Sequence, residues 1–373
     1  MVFFISPRYP ELELPLQKNG TYWKNIKFDN HYFCTSNDEE IDALRKIIEH
    51  KKKTGKELSF QETKNTKVDE HSPMKILFHR EGGLGDILFT LPIAEYLHSI
   101  GHTVDYYCHF MFWDVFKNNP NIRNIYVNIE LNNWRKKGYP PPMTKELYGT
   151  YDRPLTFRGC IEKNKYAEET HAVDACYHWA GIDPEGKPKL PKLYLSNEER
   201  AVVKERLLKE RKINPYKRTI ALAPHSSGAR NRSWQYWKEF ADEASEDYNI
   251  IMINRGERFS PSSEPWTVRE MCAVIDFCDI MVCCDTGPLH VAGALNKPIV
   301  TLFGPFNPDF RVKYYNNVTV LCKTSEFCEF CFSHMDKCKY LNQSRVYPPC
   351  MNHAPLDVLQ AVEEALCSER VCC

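Results

Sequence analysis

Two textures alternate along this chain. Short, nearly unbroken apolar runs have the look of strands buried on both faces, and each is followed by a stretch whose apolar residues recur three and four apart, as on a helix with one buried side. MKILFHR, from Met74, opens the first series. It is followed by the glycine turn EGGLGD and the helix-spaced ILFTLPIAEYLHSIGH, then by TVDYYCH (strand), MFWDVFKNN (helix) and IRNIYVN (strand). A second series begins at Arg218: TIALAP (strand), a helix capped by Ser233 and running through Ala244 with Trp234, Trp237 and Ala241 on one face, YNIIMIN (strand), TVREMCAVIDFC (helix), DIMVCCD (strand), LHVAGAL (helix) and PIVTLFG (strand). Between the series lie a helix over 167–180, the extended KPKLPKLYLS, and a Ser196/Glu199 capping box that opens a charged helix through Lys212. PLDVLQAVEEAL closes the pattern as a helix with Leu356, Leu359, Val362 and Leu366 spaced for burial. Strands alternating with helices predict an α/β protein with two Rossmann-like, doubly wound parallel sheets and a cleft between their carboxyl ends.

The first 72 residues have a different texture, with the charged runs KKKTGKE and KNTKVDE and a short helix capped at Asn37 or Asp38. They are expected to form a small accessory module with no chemistry of its own, joined by a solvated linker to the rest. The expected plan is therefore an accessory segment at 1–72, an acceptor-side domain at 73–197 joined by the final helix at 355–373, and a donor-side domain at 198–354. Charge balance changes the picture only by exclusion. The chain has 49 basic and 49 acidic side chains, so no general nucleic-acid field is expected. No apolar run reaches the ~18 residues of a membrane span, and the start lacks the features of a signal peptide. A cytoplasmic location is expected, with room for a transient contact with a membrane surface.

Chemistry concentrates at the strand-to-helix turns. In the first, Gly83 and Gly85 let the backbone turn tightly and let a ligand approach a helix start. Asp86 there reads either as a residue favoured by the helix dipole or as a carboxylate general base. The loop PHSSGARNRSW, after the first strand of the second series, offers Ser226, Ser227 and Arg232, a set suited to a phosphate or diphosphate. Asp285-Thr286-Gly287-Pro-Leu-His290 makes another such turn, with free N–H groups able to hold a diphosphate. LFGP places Gly304 at the end of the next strand, where a glycine allows close ligand approach.

In this order, GLGD, PHSS…W, DTGPLH and LFGP resemble glycosyltransferase family 9, the bacterial heptosyltransferases that use ADP-heptose to build the lipopolysaccharide inner core. The resemblance covers about 74–366. It implies a glycosyltransferase B-type architecture, with an acceptor in the N-terminal half, a nucleotide sugar in the C-terminal half and a last helix crossing back to the N-terminal half. It implies Asp86 as the base that deprotonates an acceptor hydroxyl. Arg232 falls where the family has a basic residue on the donor phosphate, Ser226 and Ser227 at its small hydroxyl pair, and Asp285, Thr286, Gly287 and His290 at its donor-side element. The loop between Asn254 and Thr267 departs from the family pattern, which leaves the donor's identity open. The activity implied is an inverting transfer of a heptose or similar hexose from a nucleoside-diphosphate sugar to a hydroxyl acceptor, with no metal needed for catalysis. Two alternatives stand beside it: a nucleotide-sugar epimerase on the same fold, and a non-catalytic sugar-nucleotide-binding protein.

The last feature is a cysteine cluster. Sixteen cysteines occur in all, and the spacing Cys322-x5-Cys328-x2-Cys331-x6-Cys338-x11-Cys350 gathers five of them. Cys328, Cys331, Cys338 and Cys350 are compatible with a structural tetrahedral zinc. Free thiols and disulfides are the other two readings.

Overall fold

The computed structural model describes 70–80, 82–128, 149–157, 159–161, 169–210, 213–224, 232–253, 266–331, 338–341 and 347–368, with strand backbone at 2–5, 11–17, 21–27, 32–35 and 61–63 and isolated residues between. The N-terminal strands β1 (Val2–Ile5), β2 (Glu11–Gln17), β3 (Thr21–Lys27), β4 (Tyr32–Thr35) and β5 (Gln61–Thr63) pair antiparallel, in the order β4-β1-β5 and as the pair β2-β3. The accessory segment thus differs in sheet type from the rest of the chain. The helix expected after Asn37 or Asp38 lies almost wholly outside the described residues.

The first alternating series forms a four-stranded parallel sheet, β8-β7-β6-β9, from β6 (Lys75–Arg80), β7 (Thr103–His109), β8 (Ile125–Asn128) and β9 (Arg153–Thr156). The second forms a five-stranded parallel sheet, β11-β10-β12-β13-β14, from β10 (Thr219–Ala223), β11 (Asn249–Met252), β12 (Ile280–Cys284), β13 (Ile299–Phe303) and β14 (Val318–Cys322). Every residue of β10, β12 and β13 is buried, as central strands covered on both faces require. The helices are α1 (Leu84–Leu88), α2 (Leu91–Ser99), α3 (Ala172–Ala180), α4 (Asn197–Glu210), α5 (Trp237–Ala244), α6 (Val268–Phe277), α7 (Gly287–Ala294) and α8 (Pro355–Ser368). No helix among the described residues is long and apolar enough to cross a membrane.

Local chemistry accounts for several boundaries. Ser196 and Glu199 form the expected reciprocal cap on α4, with the Glu199 N–H donating to Ser196 Oγ at 3.2 Å and the Ser196 N–H to Glu199 Oε2 at 2.8 Å. Three expectations are corrected. MFWDVFKNN folds as a 3-10 turn over Phe110–Phe116, not an α-helix. The helix read from Ser233 begins only at Trp237, with Tyr236 at its cap, because Trp234 is taken into the core and donates its Nε1–H to the His353 carbonyl at 3.0 Å. In α8 the buried stripe is Val358, Ala361, Val362 and Leu366, while Leu356 is 64% exposed.

That stripe packs with Ile220, Val282, Val300, Leu302 and Phe240 on the donor-side sheet. Arg218 Nη1 also donates to the Leu366 carbonyl at 3.4 Å. The last helix therefore covers the donor-side sheet in the described residues; the expected crossing to the acceptor side is not what its apolar face supports. The halves join elsewhere. Tyr314 donates to Asp174 Oδ2 at 2.6 Å and packs its ring 4.4 Å from His171, linking the segment after β13 to the start of α3.

Candidate active site

The acceptor-side turn is built around one carboxylate. β6 ends in Arg80, the chain turns through Gly82 and Gly83, and Asp86 takes the third position of α1. Its Oδ2 accepts the Gly83 N–H at 2.9 Å, closing the cap, and lies 3.2 Å from Arg80 Nη2. The Asp86 side chain keeps 30% of its surface, and its Oδ1 has no hydrogen-bond partner among the described residues. Gly83 thus serves through its N–H, and Glu81 lies outside the described residues.

The donor-side turn follows β12. Asp285 is buried, and its Oδ2 and its carbonyl accept from Arg232 Nη1 at 3.1 and 3.2 Å. Its Oδ1 lies 3.7 Å from His290 Nε2. Burial would raise the Asp285 pKa, but the His290 imidazole and the guanidinium groups of Arg232 and Arg311 outweigh it and hold the carboxyl well below the usual range. Thr286 caps α7 through its backbone conformation, and its buried Oγ1 has no partner among the described residues. Gly287 and Pro288 open α7; Pro288 has no N–H, and the other first-turn N–H groups have no partner within the helix.

The two turns meet. A Cβ at Gly85 would stand 2.3 Å from His290 Cδ2, and one at Gly287 would stand 3.1 Å from Leu84 Cβ. The His290 ring is 4.5 Å from that of Phe89, and its Nδ1 shares a 2.9 Å hydrogen bond with Tyr315 Oη. Gly85 and Gly287 therefore let the starts of α1 and α7 close on each other, which is what brings Asp86 beside the Asp285 turn. His290 is 4% exposed and packs between the halves, in contact with Asp285, Tyr315 and Phe89.

The other expected residues divide. Arg232 reaches the donor-side turn, but as the ion-pair partner of Asp285, with its guanidinium 5.5 Å from the Phe306 ring. Arg311, 5.3 Å over the same ring, adds a second cation there. Ser226 and Ser227, like the loop at 254–265, lie outside the described residues. At Gly304 the side-chain direction is filled: a Cβ there would stand 2.7 Å from Met351 Sδ and 3.1 Å from Cys350 Sγ, so only glycine fits beside the Cys-Met step before α8. Cys350 is buried, and its thiol is pushed up to about 12 by burial and then by Cys328, Cys338 and Cys331. Among the described residues, which include Cys328, Cys331, Cys338 and Cys350, no group of three or more His, Cys, Asp or Glu could hold a metal ion.

Sequence reasoning missed Arg80, Arg311 and Tyr315. Arg80 stands at the polar end of an apolar strand and Arg311 eight residues past a strand, so no spacing ties either to its aspartate.

The comparisons agree with this geometry. Residues 265–341, the segment holding the donor-side turn and the first cysteines, match the sequence profile of glycosyltransferase family 9 (heptosyltransferase). Among solved structures, a family 9 glycosyltransferase from Veillonella parvula is 17% identical with a TM-score of 0.61, covering 82% of this chain and 100% of its own. The ADP-heptose lipopolysaccharide heptosyltransferase II of E. coli is 16% identical with a TM-score of 0.59, covering 80% and 100%. TibC from enterotoxigenic E. coli, described as an iron-containing dodecameric glycosyltransferase, is 14% identical with a TM-score of 0.56, covering 83% and 81%. A further TibC structure, at 13% identity, holds ADP-D-beta-D-heptose. No curated protein sequence matches the chain. The fold is thus that of the glycosyltransferase B-type heptosyltransferases. Residues 265–341 carry the family 9 sequence signature, and the chain shares its fold with solved members of that family.

Proposed function

We propose that the protein transfers a heptose from ADP-heptose to an acceptor hydroxyl with inversion at the anomeric carbon. The observation that carries this reading is the meeting of the two turns: Leu84 and Gly85 pack against Gly287 and His290 of α7, and the next residue, Asp86, keeps an oxygen, Oδ1, with no partner among the described residues. Asp86 Oδ1 takes the hydroxyl proton as the acceptor oxygen attacks, and the bond from the anomeric carbon to the diphosphate breaks. Negative charge then grows on the departing ADP. The N–H groups opening α7 face that charge, and the cluster of Arg232, Arg311 and Asp285 carries one net positive charge. A divalent ion at the reacting centre is unnecessary in this scheme. Related structures support the donor: heptosyltransferase II is named for ADP-heptose, and TibC holds ADP-D-beta-D-heptose.

The cysteines supply a separate, structural metal in this proposal. The spacing of Cys328, Cys331, Cys338 and Cys350 offers four sulfurs, a donor set that would suit zinc or iron in tetrahedral geometry and would leave no open position for chemistry. TibC is described as iron-containing, so the metal is to be identified by elemental analysis, with about one zinc or iron per chain expected.

Calorimetry with ADP-heptose, ADP-glucose, UDP-glucose and GDP-mannose, followed by detection of released nucleotide, tests the reaction. Tightest binding to ADP-heptose with ADP release supports transfer. Change of the sugar without ADP release marks an epimerase, and binding without either marks a non-catalytic protein.

A further inference from the structure

Arg80 has no exposed surface, and its guanidinium reaches two partners among the described residues. Nη1 donates to the Phe157 carbonyl at 2.7 Å, in the segment following β9, and Nη2 lies 3.2 Å from Asp86 Oδ2. The surroundings are dry: fully buried Tyr106 and Cys176 both feel its charge. A guanidinium in such a place needs a carboxylate within reach, and partly exposed Asp86 supplies it. The turn is shaped to allow this. A Cβ at Gly82 would stand 2.9 Å from Asp86 Oδ2 and 3.1 Å from Arg80 Nε, so the chain passes directly over the pair.

We infer that Arg80 is the positioning residue of the Asp86 base, an inference that rests on the transfer reading above. Anchored on the Phe157 carbonyl, it pins Oδ2 together with the Gly83 N–H and so turns Oδ1 toward the acceptor hydroxyl. Of the two carboxylate oxygens, one belongs to the protein and one to the reaction. Arg80 touches neither donor nor acceptor, so its loss should be felt in turnover and not in binding. A shift of about an ångström in a base can cost ~10²-fold in rate.

The test combines kinetics with a readout that needs no activity. ADP release from ADP-heptose is measured for wild type, Arg80→Gln, Arg80→Lys, Asp86→Asn and Arg80→Gln/Asp86→Asn, and amide exchange at Gly83 is measured on the ligand-free proteins. Arg80→Gln should lower kcat by ~10–100-fold with donor KM unchanged. Arg80→Lys, which keeps the charge without the planar fork, should fall between wild type and Gln. In the Asp86→Asn background, Arg80→Gln should cost nothing further, whereas a merely structural role would cost the same in both backgrounds. The Gly83 amide should exchange severalfold faster in Arg80→Gln, because its acceptor is no longer held. Equal losses in both backgrounds, a rise in KM alone, or unaltered Gly83 exchange would overturn the inference. If Arg80→Gln fails to fold, Arg80→Lys decides: wild-type kcat and wild-type Gly83 exchange together overturn it. If wild type releases no ADP from ADP-heptose, the transfer reading fails, and Gly83 exchange still judges Arg80.

Discussion

Each half of the molecule places an aspartate at a strand-to-helix turn and pairs it with an arginine, yet the two pairs are built in opposite ways. On the acceptor side the arginine is buried and the carboxylate is partly open: Arg80 has none of its side chain exposed and Asp86 has 30%. On the donor side the carboxylate is the buried member, with Asp285 at 9% and Arg232 at 17% exposure. Asp285 has both oxygens near cationic or imidazole partners, whereas Asp86 has one oxygen tied and one open. A carboxylate surrounded on all sides can fix geometry and charge but cannot easily take a proton. One that is held by a single oxygen can do so. On the transfer reading proposed above, the same two residue types make a support in one half and a reacting group in the other, and burial separates the two.

The largest effect that would break this contrast belongs to the donor side. Asp285→Ala leaves partly buried Arg232 without its carboxylate, and loss of one partner of a largely buried pair costs up to ~3–5 kcal/mol. A large drop in thermal stability is expected, and an unchanged melting temperature would mean that Asp285 is not a support. Next is the seam between the turns. Gly85→Ala forces a Cβ to within 2.3 Å of His290 Cδ2, so the starts of α1 and α7 must part. Overpacking of this kind costs ~1–3 kcal/mol, and turnover should fall with it because Asp86 moves away from the donor turn. Stability loss without loss of turnover would separate the seam from the chemistry.

A smaller effect concerns pH. Burial holds the His171 pKa down to about 3 against the pull of Asp174, and that of His353 down to about 4. The folded protein therefore keeps both rings neutral where the unfolded chain would protonate them below its ordinary pKa of ~6.5. Acid favours the unfolded form, so stability is full above that value and falls with pH below it, by up to ~1.4 kcal/mol per unit for each histidine. His171→Asn, measured by denaturation at pH 7 and pH 5, should flatten the dependence. An identical slope would mean that His171 is not kept neutral at the joint with Tyr314.

The sheets were legible in the sequence because central parallel strands are apolar at nearly every position, as in IMVCC and IVTLF. The turns were legible because glycine, aspartate and proline sit where a strand must reverse into a helix. What stayed hidden depends on residues distant in the chain. Arg80 and Phe157 are 77 residues apart, Arg232 and Asp285 are 53 apart, and no local period records such pairs. The same holds for Gly304, whose side-chain direction is filled by Met351 from 47 residues further on. The buried face of α8 departs from its helical spacing for a related reason: Leu356 fits the period, but the sheet beneath begins only at Val358.

The contrast between the two aspartates is tested most directly by measuring kcat and melting temperature for Asp86→Asn, with ADP-heptose as donor. The amide keeps the size of the side chain and its contact with the Gly83 N–H but cannot accept the acceptor's proton. A fall in kcat of ~10² or more is predicted, with donor affinity close to wild type and a lowered melting temperature, because buried Arg80 loses its carboxylate. Wild-type turnover in Asp86→Asn would contradict the account, since the open carboxylate would then not be the base.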